Sequence, residues 1–358
     1  MTRIIIGIVS LLALVSCKTD FSVNGEYEER AIVHFLLDPS DEYHFMKLNK
    51  TFLGDGNANT FAQVPDSSYF GLVDAVVQEV YDNQVLREWS LTDTVIDNKD
   101  ENGVFYAPEQ RLYYFQADLE DDGLSNIQKL DKVYRLNVEI ENGKHVIFGE
   151  TGLVNDVLIS MPAQNTAFNF MQTSTDYGAQ PIRYSLGNGE VFNTRLLFKY
   201  LEVRASGSEI KTLEWNLGSL KRKDIPSTTA IVTAQGEAFY ERVRNNIPID
   251  DDVIRREVES FEIVITAGSE DVNTYMLVNE PTSSLAQNKP EFSNVDGALG
   301  IFSSRVTVTQ SKPDFNPLTN SRALTNNSLY ELCLGSYTVP LGFCSSHPAD
   351  VGKAFECD

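Results

Sequence analysis

Basic residues are scarce in this sequence: 29 Lys and Arg stand against 51 Asp and Glu, a net charge of −22. Nucleic-acid affinity comes largely from Lys and Arg contacts to phosphate, so this balance argues against a nucleic-acid partner. It argues equally against holding an anionic membrane by surface charge. Four Cys are too few for a disulfide-dense scaffold, and four His restrict metal and catalytic chemistry. Beyond residue 16 no apolar run reaches eighteen residues, so no spanning helix is expected and the rest of the chain reads as soluble. Also missing are a Gly-x-Ser-x-Gly elbow, His-Glu-x-x-His and Gly-x-x-x-x-Gly-Lys. The chain is therefore not expected to be an enzyme. Its acids are numerous enough for a glycosidase pair, but number is not placement, and a glycan or peptide hydrolase stands as the lesser alternative. With 42% hydrophobic and 22% charged residues in 358, the composition is globular and the length suits about two domains.

The N-terminus carries the most specific signal. Arg3 precedes an apolar run of twelve residues, Ile4 to Val15. That run is too short for a bilayer span of about twenty residues and suits a signal-peptide core. It ends Leu14-Val15-Ser16-Cys17, which matches the bacterial lipobox at all four positions. The thiol of Cys17 is expected to take diacylglycerol, after which cleavage leaves it N-terminal. Thioether-linked chains plus an N-acyl chain meet the two-signal requirement for stable anchoring. Residues 1–16 thus read as a lipoprotein signal peptide and 17–30 as a polar tether.

From Ala31 onward, period-two alternation and turn punctuation predict strands. Ala31–Leu37 and Tyr43–Phe52 flank the turn Asp38-Pro39-Ser40-Asp41. Val73–Tyr81 and Val85–Leu91 flank Asp82-Asn83, and Arg111–Ala117 is rich in aromatics. Tyr134–Glu141 and Lys144–Thr151 flank Asn142-Gly143, a strong hairpin signal. Residues 31–154 therefore read as an antiparallel β-sandwich of immunoglobulin or fibronectin type, without the Cys…Trp…Cys signature. Residues 155–181 lose the pattern and read as a linker. Residues 182–358 read as a second β-rich α+β domain: strands near 195–205, 209–217, 261–267 and 298–309, and a helix over Pro226–Asn246. In that helix Ile231, Ala234, Ala238, Phe239 and Val243 share a face. A second helix is expected over Ser269–Asn279, capped by Ser269. Gly187-Asn188-Gly189 reads as a hairpin turn, and Lys221-Arg222-Lys223 is the one basic cluster.

Certain strings also carry a likeness. They are Leu36-Leu37-Asp38-Pro39-Ser40-Asp41, Leu48-Asn49-Lys50-Thr51-Phe52-Leu53-Gly54-Asp55-Gly56-Asn57, Gln63-Val64-Pro65-Asp66-Ser67, and Phe292-Ser293-Asn294-Val295-Asp296-Gly297-Ala298-Leu299-Gly300-Ile301-Phe302. Through them the chain resembles a Bacteroidota family of uncharacterised outer-membrane lipoproteins, a domain of unknown function. The resemblance implies an outer-membrane address and an accessory role beside TonB-dependent transporters, and it brings no catalytic motif. Lys18-Thr19-Asp20 supplies one acid after the Cys, which leaves the periplasmic and surface faces both open.

The remaining candidates are weighed residue by residue. Asp118-Leu119-Glu120-Asp121-Asp122-Gly123 has the opening spacing of a calcium loop, but position 12 is Lys129 rather than a bidentate acid. An acidic turn is the plainer reading, so no cofactor is expected and calcium stays a minor possibility. Asp250-Asp251-Asp252 reads as a solvated loop. His34 and His44 on neighbouring strands can approach each other, yet a zinc site needs a third ligand that the sequence does not supply. His145 begins a strand and His347 lies in a loop. Asp93-Thr94-Val95 fits the short O-glycosylation acceptor pattern of this phylum. In an oxidising compartment three thiols remain besides Cys17. A bridge between Cys333 and Cys344 is favoured, with Cys344–Cys357 as its rival and one thiol left over.

Overall fold

The computed structural model describes residues 29–51, 58–120, 131–279, 292–315 and 321–357. The lipobox with Cys17, most of the tether, Phe52–Asn57 and the second half of the acidic 118–123 string lie outside the described residues.

The first half forms β1 (Ala31–Leu37), β2 (Tyr43–Lys50), α1 (Ala58–Ala62), α2 (Pro65–Ser68), β3 (Val73–Tyr81), β4 (Gln84–Ser90), β5 (Thr92–Asp97), β6 (Glu109–Gln116), β7 (Val133–Ile140) and β8 (His145–Thr151). The second half adds β9 (Ile159–Met161), β10 (Ala179–Ser185), β11 (Val191–Arg204), β12 (Gly207–Lys221), β13 (Thr229–Gln235), α3 (Gly236–Asn246), β14 (Val253–Gly268) and α4 (Glu270–Asn279). It closes with β15 (Val295–Asp296), β16 (Ala298–Pro313), α5 (Asn326–Leu334) and β17 (Phe343–Cys344). The protein is mainly β, a sandwich followed by a β-rich α+β half.

Alternation decides the first core. In β1, Ala31, Val33, Phe35 and Leu37 are fully buried while the residues between them are not. A strand sends successive side chains to opposite faces, so β1 presents one apolar edge to the interior. One layer of the sandwich runs β16-β1-β2-β6-β5, and the facing layer runs β15-β8-β7-β3-β4. Between them lie Phe35, Met46, Val77, Leu136, Ile140 and Phe302, among others. Both expected turns are present. Asp82 and Asn83 take φ of 49° and 60°, the left-handed pair of a type I′ hairpin. The β7–β8 loop is two residues longer than a two-residue turn: Ile140 pairs with His145 across Glu141–Lys144, and Glu141, Asn142 and Gly143 all have positive φ.

The second core is closed differently. Strands β12-β11-β14-β16 continue the same sheet, with β17 paired in parallel to β14. Against them pack the three-stranded sheet β13-β10-β9, helix α3 and helix α5, around Phe168, Phe170, Phe198, Phe239 and Phe261. Residues 155–181 are therefore not a free linker. Phe168 and Phe170 are fully buried, and Phe168 exchanges backbone bonds with Ala323 and Thr325.

Strand β16 belongs to both cores. Its first residues, Ala298–Ser304, pair in parallel with Ala31–Leu37, and Arg305–Pro313 pair antiparallel with β14. Phe302 lies in the first core and Val306 in the second. The second half of the chain thus supplies a strand to the first sandwich.

Two further expectations are corrected. The helix starts at Gly236, not Pro226, because Thr229, Ile231, Val232 and Thr233 are β-branched and favour the extended chain; they form β13, paired to β10 with Ile231 exposed. Gly187-Asn188-Gly189 joins β10 to β11, which lie in different sheets, so it is a corner and not a hairpin. At Gly187, φ is +50° and a Cβ would lie 1.8 Å from the Asn155 carbonyl oxygen, which only glycine tolerates. Helix α4 begins as expected, with the Ser269 hydroxyl accepting from the Val272 N–H at 3.2 Å.

Candidate functional site

The turn between β1 and β2 is built by one side chain. Asp38 is buried, and its Oδ1 accepts from the N–H and hydroxyl of Ser40 at 3.1 and 2.5 Å. Its Oδ2 lies 3.5 Å from Arg305 Nε, and its carbonyl accepts from the Asp41 N–H. This is the local bonding expected of an aspartate before proline. Burial and the Asp38 charge hold the Asp41 carboxyl above the ordinary range.

The fixed turn borders a cavity of about 440 Å³ where β16 changes partners. Pro39 and Ser40 form one wall, Val306 to Thr309 another, and the segment Leu153–Leu158 a third. Glu120 and the buried Lys132 complete the lining. The third wall is held by cross-links to the rest of the fold. The Val154 N–H donates to Ser304 Oγ at 2.9 Å, and Asn188 donates to the Leu153 carbonyl at 2.8 Å while accepting from the Asn155 N–H at 2.6 Å. Behind Lys132 the carboxylate of Glu79 is fully buried. It is 3.3 Å from Lys132 Nζ, accepts from Arg87 Nε at 2.9 Å and accepts from the Tyr134 hydroxyl at 3.1 Å. Partners of this kind offset the cost of burying a carboxylate. The cavity therefore has preformed walls, apolar and hydroxyl surface, and a few charged groups, the usual make-up of a small-molecule site. Ser40, Glu120, Asp156 and Thr307 are polar groups that can orient a ligand there.

The candidates read from the sequence fall in several places. Cys17 lies outside the described residues. The favoured Cys333–Cys344 bridge is corrected: Cys344 pairs with Cys357, and Cys333 is a buried free thiol in α5. The bridge follows the local chain path, because Ser345 exchanges backbone bonds with Phe355 and Cys357 and so holds Cys344 beside Cys357. Closing that loop stabilises by roughly 3 kcal/mol on the chain-entropy model. Burial pushes the Cys333 thiol up to about 12, which keeps it protonated and unreactive.

His34 and His44 do not meet. His34 pairs across the ladder with Lys47, not His44, and alternation sends the two rings to opposite faces. His34 Nε2 bonds the Tyr275 hydroxyl at 2.9 Å, and His44 Nε2 bonds the Ala117 carbonyl at 3.1 Å. Burial lowers both imidazoles below the ordinary range. His145 lies 3.2 Å from Glu29, and His347 Nδ1 accepts from the Ala349 N–H at 3.0 Å.

Asp250 is structural rather than a solvated loop residue. Arg204 bonds it at 2.6 Å and also bonds Glu202, which pairs with the fully buried Arg256. Arg222 of the basic cluster donates to the Gly189 carbonyl at 2.7 Å and holds the sheet corner. Asp118 and Glu120 border the acidic turn beside the cavity together with Asp41 and Glu42. Among the described residues no group of three or more His, Cys, Asp or Glu is placed to hold a metal ion. Thr94 is half-buried within β5. No single stretch announced the cavity, because its walls come from segments far apart in the chain; the Asp38-Pro39-Ser40 turn was its one local trace.

No protein-family model and no curated protein matches the chain. Among solved structures it is similar to the C-terminal globular domain of an oligosaccharyltransferase from Pyrococcus abyssi, with 13% identity and a TM-score of 0.21 over 65% of this chain. The chain spans about half of that structure, 47%. It is also similar to the calcium-binding domain CBD12 of CALX1.1, with 10% identity and a TM-score of 0.15 over 77% of this chain and 98% of that one. Scores this low bear on neither fold nor function.

Proposed function

We propose that the chain is a non-enzymatic, lipid-anchored outer-membrane lipoprotein that serves as an accessory or ligand-binding subunit of a TonB-dependent uptake system. The observation that carries the reading is Leu14-Val15-Ser16-Cys17 behind a twelve-residue apolar run. The resemblance to the Bacteroidota lipoprotein family supports the transporter as partner. The junction cavity, with preformed walls and mixed lining, supports a binding role. The test has two arms. Cys17→Ser is expected to leave the membrane fraction or accumulate unprocessed; an unchanged membrane fraction overturns the anchor. Affinity capture of the lipidated protein is expected to recover a TonB-dependent transporter, and repeated capture without one overturns the partnership.

One observation favours a second reading, an adhesive or structural surface lipoprotein. Among the described residues β12 pairs only with β11, and its fifteen residues leave an open edge with Ile210 exposed. Open edges recruit strands from other chains. Loss of adhesion in a deletion strain, with uptake intact, selects this reading.

A further inference from the structure

The interior face of the first sandwich changes character at the end away from the junction cavity. The two ends of β2, Tyr43 by the acidic turn and Lys50, are roughly 25 Å apart at about 3.3 Å per residue. In β6, Tyr113 and Phe115 point into the first core, so Arg111 and Glu109 lie on that same face by alternation. Asp93 and Val95 of β5 pair with Tyr113 and Arg111 and share it. Four residues beyond the buried Met46, Lys50 shares it as well. Charge at core-facing positions breaks the pattern of the strands that carry it, and such breaks concentrate at functional sites.

A groove of about 500 Å³ opens over these residues, with Tyr69, Phe70 and Tyr106 across from them. Both tyrosines are half-buried. The walls are tied together: the Tyr106 N–H donates to the Ala62 carbonyl at 2.8 Å, and Arg111 donates to the Phe70 carbonyl at 3.2 Å. Three acids, Asp66, Asp93 and Glu109, and two bases, Lys50 and Arg111, line the groove. Arg111 bonds Asp93 at 2.9 Å, the Tyr106 hydroxyl donates to Glu109 at 3.0 Å, and Lys50 lies 3.8 Å from Glu29. That bond to Glu109 holds the Tyr106 phenol above its ordinary range.

We propose that this groove is a binding site for a neutral carbohydrate chain. The lining carries one more acid than base, which works against an anionic chain, and a carboxylate has about four lone-pair sites and a guanidinium five donors. Asp93, Glu109 and Arg111 therefore keep capacity for hydroxyl groups beyond the bonds they already make, and Asp66 adds a further carboxylate. Half-buried tyrosine rings offer a flat apolar surface for the C–H face of a pyranose, with little entropy lost on binding. Prefixed walls lower the cost of ordering. The site stands apart from the junction cavity and does not depend on the uptake reading.

The test is calorimetric titration of the full chain with dextran, mannan and a soluble β-glucan. At least one is expected to bind saturably. Tyr69→Ala and Tyr106→Ala are each expected to weaken it about tenfold, the size of one lost aromatic contact. Tyr106→Phe keeps the ring and most of the affinity, and Tyr43→Ala, on the outer face, leaves it unchanged. In the unsubstituted protein the bound polysaccharide protects Tyr106 from nitration, a readout that needs no variant to fold. The proposal is overturned if none of the three polymers binds, if binding survives both alanine substitutions, if Tyr106 is not protected, or if oligolysine binds in their place. Because neither anchor nor transporter takes part, failure here leaves the uptake reading standing, and failure of transporter capture leaves the groove standing.

Discussion

The two cores reach the same burial by different means. The first is a slab between two sheets, where rings such as Phe35, Phe115 and Phe302 are spread among aliphatic side chains such as Val33, Val77, Leu136 and Ile140. The second is a knot of rings: Phe261 lies 4.9 Å from both Phe168 and Phe198 and 5.5 Å from Phe239, and Phe170 stacks on Phe239 at 4.4 Å. Two facing sheets hold their core side chains in register, aliphatic and aromatic alike. A sheet facing irregular chain and helices needs large rings to span an uneven gap, and offset aromatic pairs meet that need. The first core is thus written in the periodicity of its strands, and the second in the placement of a few large residues.

The sharpest break in that contrast is Phe261→Ala. It removes the ring at the centre of the knot and is expected to cost about 4 kcal/mol, against about 3 kcal/mol for Leu136→Ala in the slab. Chemical denaturation of both variants checks the order, and equal losses would show that the rings pack no more tightly than the aliphatics. Next is Gly300→Ala, at the seam between the cores. Gly300 has φ +110°, and a Cβ there would lie 1.9 Å from the Val33 carbonyl oxygen. The cost is expected to be about 3 kcal/mol. Because β16 couples the cores, the unsubstituted protein should melt in one calorimetric transition and the variant in two.

The smallest effect concerns Asp314, beyond the second core. Burial raises its carboxyl from 3.8 to about 6. The folded protein therefore holds a proton that the unfolded chain has released between these values, and stability falls as pH rises from 4 through 6. Asp314→Asn is expected to remove this slope and to gain of order 2 kcal/mol at neutral pH. Denaturation midpoints at pH 4 and pH 7 measure it. A slope unchanged in the variant would place the titration elsewhere.

Much of the first half was legible before the structure. β1 has the bounds that alternation gives it, and Asp82-Asn83 turns as the residue types require. The second half was less legible because its information is not periodic. Phe168 and Phe170 sit in a stretch of Asn, Gln and Thr that reads as loop, and only the sheet behind them explains their burial. The bridge was misjudged because sequence separation says little about which loop doubles back: Cys357 is 13 residues from Cys344, and the backbone ladder at Ser345 selects it. The charged residues of the groove were visible in β5 and β6, but their inward facing depends on the register with Tyr113. The junction cavity needs the partner change in β16, which no local pattern contains.

That shared strand also sets an order of events for a chain that emerges from its N-terminus. β1 is made early, yet its parallel neighbour Ala298–Ser304 comes near the end. Until then the first sandwich has an unzipped flank of apolar backbone, open to wrong strands of its own chain or of its neighbours. A fragment ending before residue 298 should inherit that flank permanently and aggregate where the whole chain does not. For a chain that folds as it is made, the last stretch to arrive is then the one that closes the first structure to form.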